Sequence, residues 1–300
     1  MLANTSQTDP RSSIETPSGK GQDDENFPVA SIILAERYRS HVKSFYDFAR
    51  AADDIADNPD LTAVQKIARL NLFENTLLAR PDAPHLEKPV RLRDSLTLTG
   101  VTPKHASDIL EAFRTDARKT RYATWRDLLD YCELSANPVG RYLLDLHGED
   151  PVGYAASDAL CTVLQVLNHL QDCGDDRRDL DRVYIPLDWM EAEGADPAML
   201  DDDRLDPAMR RVVDRMLDAC NRLLAAANTL PNSLADTRLA INSATIVCLA
   251  KRLSRRLRQG DPLAKRVALT KLDFVVCVVK GVIYGLTRAR PDRARERTGR

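Results

Sequence analysis

Glycine is scarce in this chain, 12 residues of 300, against about 7% in an average protein. Gly-rich phosphate loops and sheets built on tight hairpins are therefore not expected. An excess of one charge is also missing: Lys and Arg number 43, Asp and Glu 45, for a net charge of −2. A nucleic-acid binder should carry a strongly basic domain, so no nucleic-acid partner is expected, and the balance equally excludes an acidic disordered chain. None of the six cysteines (Cys132, Cys161, Cys173, Cys220, Cys248, Cys277) sits in a CxxC pair or at zinc-ligand spacing. Most lie in apolar runs and read as reduced, buried thiols of a cytoplasmic protein. The longest apolar run, Phe274 to Leu286, is interrupted by Lys280 and falls short of the ~20 residues a membrane span needs. Residues 1–25 are polar, without the apolar stretch of a signal peptide.

What is present is helical periodicity. Hydrophobic residues make up 43% of the chain, enough for a sizeable core. Helices are expected over 41–57, 62–79 (capped by Thr62), 103–118 (opened by Pro103), 124–147, 154–178, 207–228 and 233–259. A last one is expected from Asp261-Pro262 to about 286. No alternating strand pattern and no repeat is visible. The expectation is one all-α domain over residues 23–287, between a disordered leader (1–22) and a basic tail (288–300). From Thr287 to Arg300 there are six arginines, a composition suited to a solvated tail or to peripheral contact with anionic lipid at the inner membrane.

Two helical stretches carry oxygen donors where apolar residues belong. In 41–57, Tyr46, Arg50, Asp53 and Asp57 recur at i, i+4, i+7 and i+11, one stripe flanked by Phe45, Ala49, Ala52 and Ala56. One such DDxxD is equally compatible with an exposed acidic face, and Asp54 could replace or assist Asp53. The second stretch removes that ambiguity. Gln165, Asn168, Asp172 and Asp176 recur at i, i+3, i+7 and i+11 through an apolar helix. Carboxylates and amide oxygens are hard ligands, suited to Mg2+ and not to zinc. Gathered together, the carboxylates repel one another unless a cation sits between them. Since Mg2+ binds through one or two carboxylates plus substrate phosphates, the pattern predicts Mg2+ with a diphosphate.

These motifs resemble those of the squalene and phytoene synthase family. The resemblance rests on Tyr46-Asp-Phe-Ala-Arg-Ala-Ala-Asp-Asp-Ile-Ala-Asp57, on Gln165-Val-Leu-Asn-His-Leu-Gln-Asp-Cys-Gly-Asp-Asp176 followed by Arg182-Val-Tyr-Ile-Pro186, and on Asp127-Leu-Leu-Asp-Tyr-Cys-Glu-Leu-Ser-Ala-Asn-Pro-Val-Gly140. Within the family, the opening Glu25-Asn-Phe-Pro-Val-Ala-Ser31 and the wording of the first motif are most similar to the hydroxysqualene synthases of bacterial hopanoid pathways. Gln171 stands where squalene and phytoene synthases usually carry Arg, which implies the loss of one diphosphate-binding charge.

The resemblance implies a helical bundle around a central cavity, in which presqualene diphosphate and water give hydroxysqualene and diphosphate, with Mg2+ and without NADPH. It implies metal ligands at Asp53, Asp57, Asn168, Asp172 and Asp176, the four aspartates also being catalytic, and a diphosphate contact at Arg50. Phe27, Tyr46, Tyr131 and Gln165 are expected to line the substrate cavity. Arg177, Arg178 and Arg182 could reach phosphate, though solvated surface is the commoner fate of such a run, and His169 reads as a structural residue pointing elsewhere. A presqualene diphosphate synthase upstream and a hydroxysqualene reductase downstream are the implied partners. Two other readings stay open: a squalene, presqualene diphosphate or phytoene synthase, and a non-catalytic helical scaffold with acidic grooves.

Overall fold

The computed structural model describes residues 33–288. Phe27, the leader and the tail from residue 289 lie outside the described residues. Chain order gives α1 (Glu36–Asp57), α2 (Ala63–Leu77), α3 (Glu87–Thr99), α4 (Lys104–Asp116), α5 (Trp125–Ser135), α6 (Asn137–Leu146) and α7 (Tyr154–Gln171). There follow α8 (Cys173–Leu180), α9 (Leu187–Glu193), α10 (Pro207–Ala227), α11 (Leu230–Ser233), α12 (Thr237–Gln259) and α13 (Lys271–Thr287). Among the described residues the one β feature is an isolated bridge, Arg121 to Val183. The all-α reading therefore holds.

Local chemistry explains most boundaries. Thr62 and Gln65 form a reciprocal capping box on α2, and Thr124 and Asp236 accept backbone N–H bonds at the starts of α5 and α12. Three expectations need correction. The stretch 124–147 breaks at Ala136, because Pro138 can take a first-turn position but cannot continue a helix. The stretch 154–178 breaks at Asp172, whose backbone (φ −105°, ψ 9°) leaves the helical range. The last helix starts not at Pro262 but at Lys271, where Thr270 and Asp273 make a capping box. Asp261 does accept from Leu263 and Ala264 N–H, but its other oxygen takes Leu205 N–H. The segment after it packs Leu263, Val267 and Leu269 against the core instead of coiling. Helix α3 was not anticipated, although Gly100 closes it in the left-handed region (φ 71°).

The core runs continuously from α1 to α12. α1 packs on α2, α3 and α4, while α7 packs on α5, α6, α10 and α12; α4 also touches α5 and α6, so it links the two sets. Among the described residues no helix is long and apolar enough to cross a membrane. α13 rests on α12 through its small residues: a Cβ at Gly281 would stand 2.8 Å from the Ile241 carbonyl oxygen. That close approach also pairs Cys248 with Cys277 as a disulfide, with Cα atoms 5.4 Å apart, where reduced thiols were expected. The other four cysteines are free. Gly281→Leu should force α13 off α12 and lower stability by about 1–3 kcal/mol, the usual cost of overpacking, read as a lower denaturation midpoint. An unchanged midpoint would show that this contact does not hold α13.

Candidate active site

The acidic stripe on α1 forms as the periodicity predicts. Phe45, Phe48, Ala52, Ile55 and Ala56 are buried, while Tyr46, Arg50, Asp53, Asp54 and Asp57 stay partly open. Arg50 donates to Asp53 at 2.7 Å and pairs with Asp54 at 3.1 Å. Along the second half of α7 the partly open residues are Cys161, Leu164, Gln165, Asn168 and His169; Val163, Val166 and Leu167 between them are fully buried. An open face on an otherwise buried helix is where a site belongs. The second motif differs from expectation in shape: Asp172 ends α7 and Asp176 sits on α8, so they do not continue one straight stripe.

Each acidic motif is matched by cations from elsewhere. Arg182, expected as solvated, is 6% exposed. Its guanidinium donates to Asp57 Oδ1 at 2.6 Å, to the Ala56 carbonyl at 3.2 Å and to the Asp116 carbonyl at 3.5 Å. The reason is topological: Val183, Leu187 and Asp188 N–H bond to the carbonyls of Thr120, Tyr122 and Ala123, and this ladder draws residue 182 inward. Arg177 and Arg178 stay outside on Asp181, Asp201 and Asp175. Arg266, from the segment between α12 and α13, pairs with Asp172.

Gln171 is buried against the segment that carries Arg266. It is 3% exposed, and its Nε2 donates to the Val267 carbonyl at 2.5 Å. The charge absent at 171 is thus offset beside Asp172 by Arg266, carried on the segment that Gln171 anchors. No local motif marks Arg266, 94 residues away in sequence.

His169 keeps a packing role but does not point elsewhere. Its ring stacks on Tyr184 at 3.5 Å. Its Nε2 lies 3.1 Å from Gln165 Nε2, and its Nδ1 lies 3.7 Å from Asp176. Tyr131, expected to line the cavity, is 7% exposed and donates its hydroxyl to Asp116 at 2.7 Å; Tyr184 reaches the same carboxylate at 3.3 Å. Asp116 escaped the sequence reading because a lone Asp in an amphipathic helix gives no local signal, and Tyr184, though part of the Arg182–Pro186 run, was given no role.

Among the described residues no three His, Cys, Asp or Glu side chains converge as a ready-made metal cluster. The donor set nonetheless fits a hard divalent cation. Asp53 is pushed up to about 7, first by withdrawal from water and then by the Asp57 carboxylate, against the pull of Arg50. Its side chain keeps 31% of its surface, so the crowding of carboxylates matters beside depth. Burial likewise raises Asp116 to about 6 against Arg182, and raises Asp172 against Arg266. A cation placed here would relieve that crowding.

Comparisons with known proteins agree with this geometry. The family model for squalene/phytoene synthase matches residues 21–273. The chain belongs to the squalene/phytoene synthase family. It is 43% identical over 265 residues to a hydroxysqualene synthase of Rhodopseudomonas palustris, covering 88% of this chain and 90% of that one. It is 41% identical over 258 residues to a hydroxysqualene synthase of Zymomonas mobilis, covering 85% and 86%. Among solved structures, the squalene synthase HpnC of Alicyclobacillus acidocaldarius superposes with a TM-score of 0.70 at 30% identity, covering 78% of this chain and 88% of that one. The fold is thus that of the squalene synthases.

A carboxyl group whose folded pKa exceeds its unfolded value of about 3.9 contributes stability that is complete below that value. It loses that contribution as pH rises through the folded pKa, here about 7 for Asp53. Asp53→Asn cannot ionise and leaves Arg50 its partner Asp54. Without added metal, its melting temperature should fall less than that of the wild type between pH 4 and 8. An unaltered slope would remove Asp53 from the strained set.

Proposed function

We propose that the chain is a Mg2+-dependent hydroxysqualene synthase: it ionises presqualene diphosphate, lets the cation rearrange and captures it with water, giving hydroxysqualene and diphosphate. The observation that carries this reading is the presence of two acidic motifs, on α1 and at the α7–α8 junction, the second continuing a part-exposed stripe of α7. The 41–43% identity to two hydroxysqualene synthases over most of their length supports the finer assignment.

Asp53 and Asp57 from one side, and Asn168, Asp172 and Asp176 from the other, would hold the metal. Bound Mg2+ supplies positive charge that neutralises the departing diphosphate. The chain's own cations add to this. Arg50 and Arg266 lie at the two motifs with part of their surface open and present guanidinium groups to phosphate oxygens, which suit their planar fork. Arg182, already committed to three acceptors, holds the first motif in place. Leu164 and Cys161 line the open face of α7 and keep stray water from the cation. Tyr46 adds an aromatic face near the first motif, since ring faces attract positive charge; Phe27 has the same role in this reading.

Substrate comes from a presqualene diphosphate synthase, and product passes to a hydroxysqualene reductase. Both molecules carry long hydrocarbon chains, and contact with a bilayer surface fits them. The exposed Leu272, Val275, Val279, Ile283 and Leu286 of α13, followed in sequence by the arginine-rich end, are the surface proposed for anionic lipid.

The deciding experiment incubates purified protein and Mg2+ with presqualene diphosphate or with farnesyl diphosphate, with and without NADPH, and identifies products by mass. Hydroxysqualene from presqualene diphosphate, unaffected by NADPH, is expected. Efficient squalene or phytoene formation from a simple prenyl diphosphate would overturn the assignment. Asp172→Ala should lower turnover by roughly 10²-fold or more, equivalent to about 3 kcal/mol of lost charge stabilisation. In thermal melting, Mg2+ and inorganic diphosphate together should raise the midpoint by more than the sum of their separate shifts, because each neutralises the other. Strictly additive shifts would speak against a shared site.

A further inference from the structure

A carbocation in an apolar pocket has two fates: it loses a proton or it meets water. Alcohol forms cleanly only if one water is already held beside the right carbon. Such a water needs polar anchors, and the open stripe of α7 offers few. Cys161 and Leu164 are poor ones, Asp158 before them has both oxygens taken by Arg141, and Gln165 is the next strong hydrogen-bonding side chain before Asn168.

The orientation of Gln165 is set by its neighbour. Its Nε2 lies 3.1 Å from His169 Nε2, and among the described residues this is the only hydrogen bond of the Gln165 side chain. The His169 ring is clamped by stacking on Tyr184 at 3.5 Å with planes 14° apart, and its Nδ1 faces the Asp176 carboxylate at 3.7 Å. With the Nδ1 proton turned to that carboxylate, Nε2 is an acceptor and receives a hydrogen bond from the Gln165 amide N–H. The amide nitrogen is thereby committed, and the carbonyl oxygen becomes the end offered to the stripe.

We propose that Gln165, oriented by His169, positions the water that captures the cation. This rests on the function proposed above. The Gln165 oxygen accepts one O–H of the water, and Asn168, on the same face one turn on, offers a second polar anchor. The water oxygen's lone pair forms the new C–O bond, and the proton of the resulting oxonium passes to an oxygen of the diphosphate released in the same turnover. Neither Gln165 nor His169 changes protonation. A neutral carboxamide suits the place, because a carboxylate there would itself bond to the cation.

The test supplies presqualene diphosphate and Mg2+ in 18O-water and measures labelled alcohol and proton-loss hydrocarbon per diphosphate released. Gln165→Leu should lower the ratio of alcohol to hydrocarbon roughly tenfold, the scale of one lost hydrogen bond. Gln165→Met, of similar volume, gives the same reading should the leucine variant fail to fold. His169→Leu should shift the ratio in the same direction, and His169→Gln, which keeps an acceptor near Nε2, should restore most of it. Restoration separates positioning from a merely structural role. Labelled alcohol from the wild type with an unchanged ratio in the Gln165 and His169 variants overturns this assignment alone. No labelled alcohol from the wild type overturns the proposed function and this inference together.

Discussion

The site hangs on one buried guanidinium. A cation withdrawn from water is tolerated only when its hydrogen bonds are met inside the protein, and Arg182 meets its own with a carboxylate and two carbonyls. Those acceptors belong to the ends of α1 and α4, and Arg182 itself lies on the connection from α8 to α9. One side chain thus fixes three separate pieces of chain relative to one another. Asp116 carries the linkage onward through the Tyr131 and Tyr184 hydroxyls, and Tyr184 carries it to His169 by stacking. The acidic motifs are therefore registered through a relay of polar and aromatic groups that are not themselves the carboxylates.

That arrangement also explains how so many carboxylates coexist in a folded chain. Asp53, Asp57 and Asp172 each face an arginine, and Asp176 faces an imidazole instead. The arginines come from different distances along the chain: three residues from Asp53, 125 from Asp57 and 94 from Asp172. Only the first pairing follows from helical spacing; the others depend on the complete fold. Raised carboxyl pKa values at Asp53 and Asp116 show that the compensation is partial.

What could be read from the sequence follows the same division. The stripe on α1 was legible because the helix is unbroken and its neighbours obey a 3.6-residue period. The donors of the second motif were legible by residue type, but the turn at Asp172 was passed over although Asp172-Cys-Gly-Asp-Asp176 is a run of poor helix formers. Arg182 looked like its neighbours Arg177 and Arg178, and only the backbone ladder to residues 120–123 separates them. His169 was misplaced although its spacing, four residues after Gln165 and seven before Asp176, already puts it on their face of a helix. Cys248 and Cys277, 29 residues apart, had no spacing signature, since their pairing is made by the glycine-mediated approach of α12 and α13.

The break at Asp172 bears on how this motif can vary. Gly174, two residues on, lies so close to the segment between α12 and α13 that a Cβ there would stand 2.9 Å from Leu263 Cδ2 and 3.0 Å from Arg178 Nη1. Any larger residue at 174 would press on the segment that also carries Arg266 and is tied down by Gln171. Positions 171, 174, 263 and 266 consequently form one packing unit split across the chain. Moving the acidic motif into another chain without its distant companion would import the carboxylates and leave behind the surface that seats them.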